Sequence, residues 1–150
     1  MAAYARQAVA RSGSGFTVSG NNVTLAATAT FPTMAGGAGG TVTHFGLGVA
    51  VSGGTELLFF AAVTPNITVA AGITPKLDTN TNVSQASSDA MANAAATNLL
   101  LLMFNNTNWA NVGDATGLRG SSTAGSFYLS LHTASPAEAG NQSTNEISYT

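Results

Sequence analysis

From Ser126 to Thr133 the chain reads Ser-Phe-Tyr-Leu-Ser-Leu-His-Thr, a period-two pattern that fits a half-buried strand and little else. Phe127, Leu129 and Leu131 share one face; Tyr128, Ser130 and His132 share the other. Pro136, lacking an N–H for a ladder, closes the segment. A polar loop through Gly140-Asn141-Gln142 leads to a second short strand, Glu146-Ile147-Ser148-Tyr149.

The same rhythm recurs upstream. Strands are expected over residues 3–10, 16–19 and 23–31, the last with Val23, Leu25, Ala27, Ala29 and Phe31 on one face. Residues 41–51 direct Phe45, Leu47, Val49 and Val51 to a core and leave Gly46 and Gly48 opposite, which suggests close approach by another backbone or a bend. Residues 56–63 follow a Ser52-Gly53-Gly54-Thr55 turn and are apolar on both faces. Both faces then need cover, so this strand is expected at the centre of a sheet. Short strands follow at 67–69 and 73–74, and the polar, aperiodic residues 76–88 read as a linker.

One helix is expected, over residues 90–104, capped by Ser87-Ser88-Asp89. Leu99 to Phe104 is apolar all round and predicts burial on every side. Residues 105–125 are loop-like, with Trp109 as their anchor. The pattern predicts a mainly-β single domain over residues 1–150, a β-sandwich most like a jelly roll, with one packed helix.

Charge narrows the function. Only 7% of residues are Asp, Glu, Lys or Arg, against roughly 25% in an ordinary soluble domain, and Arg6, Arg11, Lys76 and Arg119 form no run. Nucleic-acid binding driven by phosphate contacts is disfavoured. A surface of Asn, Thr, Ser and Gly can be covered by a neighbour without stranding charges; the plainer alternative is a monomer with a neutral polar surface. Cysteine is absent, which removes disulfides and thiolate metal sites. No apolar run approaches the roughly 20 residues of a membrane span, and no secretory signal is evident at the N-terminus, so synthesis in the cytoplasm is expected.

Residue types of several catalytic and metal sites occur, but not at the spacing those sites need. Gly36-Gly37-Ala38-Gly39-Gly40 lacks the Lys-Ser/Thr of a phosphate loop and reads as a mobile surface loop. Asp78-Thr79-Asn80-Thr81-Asn82 with Asp89 resembles a calcium loop, but Val83 stands where that loop needs glycine. Ser130, His132 and Asp114 supply triad residue types without a strand-to-helix elbow, and His44 with His132 lacks a third metal ligand. Six acids offer no ordered carboxylate pair. No cofactor, metal or catalytic residue is expected, nor an enzyme. The residues expected to matter are interface candidates: Gly46, Gly48, Leu58, Phe60, Tyr128 and His132, in a symmetric homo-oligomer, a trimer or ring before a dimer.

Four stretches together carry a resemblance: Phe127 to Pro136 (FYLSLHTASP), Glu146 to Thr150 (EISYT), Ala3 to Ser12 (AYARQAVARS) and Thr41 to Gly46 (TVTHFG). They resemble small virion proteins of tailed bacteriophages, over nearly the whole chain but in a different order. The family's second half, here residues 3 to about 80, precedes its first half, about 86 to 150, so the chain looks circularly permuted. Joined back, Ser148-Tyr149-Thr150 would run into Ala3-Tyr4-Ala5-Arg6. The resemblance implies that the two termini lie side by side, that residues 79–88 join the original ends, and that the protein is located in the virion. It implies a structural role without catalytic residues. Capsid cement stabilising a shell through the major capsid protein is the first expectation, and a tail-fibre or receptor-binding module for a glycan or host surface is the alternative.

Overall fold

The structure, a computed structural model, describes residues 3–84 and 91–150. In chain order the elements are β1 (Gln7–Ala10), β2 (Phe16–Ser19), β3 (Asn22–Leu25), β4 (Ala29–Thr30), β5 (Gly40–Gly48), β6 (Leu57–Val69), β7 (Lys76–Leu77), β8 (Asn82–Ser84), α1 (Asn93–Asn105) and β9 (Ser126–His132). The fold is mainly β with one helix, as the alternation predicts. The chain divides into two compact units: the first comprises Met1–Val9, Thr28–Leu77 and Phe127–Thr150, the second Ala10–Ala27 and Asp78–Ser126.

The first unit is built on a four-stranded sheet in the order β1-β9-β5-β6. β5 and β9 are antiparallel, with Phe45 opposite Leu131 and Leu47 opposite Leu129. These four side chains are at most 3% exposed and form the core face. A central position buries β9 on both faces, so its polar side, Ser130 and His132, is as inaccessible as its apolar side. β4 and β7 make a separate two-stranded ladder, Ala29 opposite Leu77. The two ends of the chain meet here: the Tyr4 N–H donates to the Tyr149 carbonyl at 3.0 Å, and the rings stand edge to face with centroids 5.5 Å apart. Of the Gly36–Gly40 stretch, residues 36–39 are a loop, as expected, while Gly40 opens β5, and the loop is tethered rather than loose. The Ala35 and Gly36 N–H groups donate to the Thr150 carbonyl, and the Thr150 N–H returns a bond to Gly36.

Three strand expectations are corrected in this unit. β6 lies at the edge of its sheet, not the centre, and takes in Pro65 and residues 67–69. Proline is tolerated there because an edge strand has one side that donates to no ladder. Val49 and Val51 are 45% and 61% exposed, because β5 ends at Gly48 and the chain turns toward the Val49–Glu56 bond. Ile73 is 42% exposed and outside any strand.

In the second unit β2, β3 and β8 form an antiparallel sheet on which α1 packs through β2 and β3. Ala96, Leu100 and Phe104 are fully buried at the spacing of one helix face, and Phe104 meets Phe16 edge to face at 5.0 Å. Leu99 and residues 101–103 are only half-buried, so this helix has a core stripe rather than all-round cover. The expected strand over 23–31 is broken into β3 and β4, which pair with different partners; apolar alternation reports faces, not ladders. The expected linker contains β7 and β8, joined by a turn in which the Asp78 carboxylate accepts the Asn80 N–H. The helix begins at Asn93, after an Ala92 cap that offers no side-chain acceptor. Ser87-Ser88-Asp89, the expected cap, lies outside the described residues. So does Asp89 as a twelfth calcium-loop position.

Phe104→Ala should lower stability by about 3–5 kcal/mol, the usual cost of emptying a buried aromatic site. Urea unfolding followed by circular dichroism checks this, and a loss below about 1 kcal/mol would contradict the packing described for α1.

Candidate functional site

The structure gathers five of the six nominated residues on one face of the four-stranded sheet. Register places Phe60 opposite Gly46 and Gly46 opposite Ser130; Gly48 lies opposite Tyr128, and His44 opposite His132. Leu58 stands apart. The pairing of β5 with β6 shifts between Leu47 and Gly48, so Phe59 and Leu57 have partners in β5 while Leu58 has none. A second irregularity follows Ala62, where Val42 pairs with Ile67 and His44 with Ala62, leaving residues 63–66 outside the ladder.

The close approach expected at the glycines is made by the chain's own side chains. A Cβ on Gly46 would meet His132 Nε2, Leu57 Cδ1 and Ser130 Oγ at 2.6–2.7 Å, and one on Gly48 would overlap Gln142. Gln142 is fully buried, with its oxygen accepting from the Ala50 N–H at 3.0 Å and the Thr55 hydroxyl at 2.6 Å. Its amide nitrogen has no hydrogen-bond partner among the described residues. Gly46, Gly48 and His132 are buried, whereas Leu58, Phe60 and Tyr128 are half-buried.

Beside this face lies a polar network that sequence reasoning missed. Arg6 and Glu146 form a bidentate pair, Nε to Oε1 and Nη2 to Oε2, both at 2.7 Å, with side chains 3% and 14% exposed. Arg6 also donates to the carbonyls of Ala50 and Gly53 at 3.0 and 2.8 Å. The Tyr4 hydroxyl donates to Glu146 Oε1 at 3.0 Å and accepts the Leu131 N–H at 2.9 Å. Burial, reinforced by the Glu146 charge, holds this phenol far above the ordinary tyrosine range; Arg6 is held further protonated by its bond to Glu146. The available signal was rarity: in a chain with ten charged residues, one placed inside strand-like sequence needs a partner.

Ser130 and His132 are nearer than their shared strand face suggested. The Ser130 hydroxyl donates to His132 Nε2 at 2.8 Å, and Nδ1–H donates to the Thr144 carbonyl at 2.8 Å. This is the start of a nucleophile relay in residue type, but both side chains are fully buried. Asp114 belongs to the second unit, where its carboxylate accepts the N–H groups of Thr116 and Gly117. Burial depresses the His132 pKa, partly countered by the bond to Thr144 and the Glu146 charge. Among the described residues no three metal-ligating side chains cluster.

The second unit carries an exposed loop that opens where α1 ends. Trp109 and Leu118 exchange both backbone hydrogen bonds at 2.9 Å, which closes residues 110–117 into a hairpin. Val112 and Leu118 are 38% and 43% exposed, and Trp109 is half-buried. Asn106 and Asn108 brace the base: the Asn106 side chain exchanges two bonds with the Ser121 backbone, and Asn108 accepts the Gly120 N–H.

A family model described as podophage GP4 fiber I protein gp80 matches residues 1–85, more than half of the chain, and the chain belongs to that family. It is thereby a structural phage virion protein. No curated protein and no solved structure matches it. No helix is long and apolar enough to cross a membrane among the described residues.

Glu146→Ala leaves Arg6 buried without its counter-charge and should cost about 3–5 kcal/mol in denaturant unfolding. His132 gives a pH signature. Its folded pKa lies below the ordinary 6.5, so the unfolded chain binds the extra proton first, and stability should be full above about pH 6.5 and fall as pH drops below it. Unfolding midpoints from pH 8 to pH 5 should decline for the wild type. They should flatten over that window in His132→Asn, whatever the variant's absolute stability.

Proposed function

We propose that this chain is a fibre-type component of a podophage particle, working by surface contact rather than by catalysis. The observation that carries the reading is the fibre-family match over residues 1–85. It favours the fibre role over the capsid-cement role expected first from the sequence. The burial of Ser130 and His132 supports a non-catalytic role, since neither is open to a substrate in this conformation. Among the nominated interface residues, Leu58, Phe60 and Tyr128 keep partial exposure and would carry contact with a second copy in a homo-oligomer.

The permuted order belongs to the same proposal. The family match stops at residue 85, inside the stretch expected to join the original ends, and the present ends are hydrogen-bonded to each other. Both are what a join at residues 79–88 would leave: the present ends adjoin as neighbours in an unpermuted chain would, and the join itself requires that the original ends lay close together.

Immunogold labelling of intact virions with an antibody to this chain tests the role. Label on fibres is expected. Label spread over the shell, with saturable binding of the purified protein to undecorated capsids, would replace the fibre role with cement acting on the major capsid protein. Light scattering at tens of micromolar should give a multiple of 14.9 kDa. A monomer mass would remove the self-association.

A further inference from the structure

We propose that the free edge of β6 is the self-association site: two copies pair their β6 strands antiparallel across a two-fold axis at Ala61 and close a dimer. The inference rests on the self-association in the reading above and gives it a site, a symmetry and a stoichiometry. Two copies then replace the trimer or ring expected first.

An open edge is the first support. Among the described residues β6 is bonded to β5 alone, as the last strand in the order β1-β9-β5-β6. Every second residue from Phe59 to Ala62 therefore turns its N–H and C=O away from the sheet. Edge strands that stay single carry Lys, inward-pointing charges or a covering loop. Leu57–Val69 has no charged residue, Leu57 to Ala61 are only half-buried, and Ala62 is exposed. Exposed Val49 and Val51 continue the apolar surface at the end of the hairpin, where the Val49 N–H still donates to the Glu56 carbonyl.

Side-chain size selects the occupant. From Leu57 to Ala62 the strand reads Leu-Leu-Phe-Phe-Ala-Ala, large first and small last. Antiparallel pairing about Ala61 sets Phe60 of one copy opposite Ala62 of the other, and symmetry repeats the match on the far side of the axis. Large then meets small along the whole window. A parallel pair would set alanine beside alanine and leave a gap there. The other edge of the sheet, β1, reads Gln-Ala-Val-Ala and offers no such gradient.

Charge agrees with a second copy. Glu56 is the only charged residue from Ser12 to Pro75 and lies five residues from Ala61. In the two-fold pair the two carboxylates stand at opposite ends, roughly 34 Å apart at about 3.4 Å per residue, well beyond the screening length of about 8 Å. Stoichiometry follows from the geometry. The irregularity at Leu58 and the excursion at residues 63–66 bound the regular window, and self-pairing leaves no β6 edge for a third copy. A four-residue ladder is short of the roughly 1,200 Å² of a stable interface, so Leu58, Phe60 and the hairpin end must complete the contact.

The full chain tests this, and its lack of cysteine makes single-cysteine variants specific probes. Wild-type protein at tens of micromolar should scatter light as twice 14.9 kDa. Under mild oxidation Ala61→Cys should cross-link at least ten-fold faster than Val51→Cys or Ser122→Cys, because only a residue on the axis meets its own copy within disulfide reach. Ala62→Lys puts a charge at an exposed position on the rim; it should keep the wild-type circular dichroism and run at monomer mass. A trimer or ring would overturn the two-fold pairing while self-association stands. So would a dimer that survives Ala62→Lys, or one in which Ala61→Cys cross-links no faster than the two controls. A wild-type monomer would remove pairing and self-association together. Where antibody label falls on the virion is independent of all these outcomes, so the dimer can fail while the fibre role stands, and the reverse.

Discussion

The bidentate Arg6–Glu146 pair is the interaction on which the first unit depends. Taking two charges out of water costs several kcal/mol each, and the cost is recovered only where the remaining donors and acceptors are also met. Here they are met by the carbonyls of Ala50 and Gly53 and by the Tyr4 hydroxyl. Those partners come from the start of the chain, the turn between β5 and β6, and the segment after β9. A shifted register at any one of the three would strand a buried charge, so the pair selects one arrangement even where its net stabilisation is small. The Tyr4 hydroxyl adds to this by capping the Leu131 N–H of β9 where the C-terminal segment begins to pair.

The glycine face follows from that arrangement. With the β5–β6 turn held by Arg6, Thr55 and Ala50 are in place to receive the Gln142 oxygen, and Gln142 fills the volume that a side chain at position 48 would occupy. Gly46 makes the equivalent room for His132, Ser130 and Leu57. Both glycines therefore let polar side chains enter a sheet face, with every His132 ring nitrogen satisfied and one Gln142 amide nitrogen left over.

Faces were legible in the sequence and ladders were not. The alternation in residues 126–132 located β9 and its apolar side correctly, because side-chain period is a local property. Whether Val23 to Phe31 is one strand or two depends on partners far along the chain, and β3 and β4 take different ones. The same limit applies to β6: its doubly apolar composition suggests a central place, while Pro65 is the sign of an edge. At the candidate sites, the Gly46–Gly48 spacing showed that something comes close, but nothing local could say that the visitor was Gln142, about 90 residues away. Trp109 was recognised as an anchor; its closure with Leu118 depends on glycine conformations that composition alone does not reveal.

β6 has one more consequence. An uncharged apolar strand at the rim of a sheet is a template for endless strand-by-strand growth, and this one carries no Lys or Glu to repel a newcomer. The irregularity at Leu58 and the excursion at residues 63–66 leave a regular ladder of only four residues between them, Phe59 to Ala62. That is too short and too kinked to seed cross-β stacking. An edge interrupted in this way guards by shape what edge strands more often guard by charge.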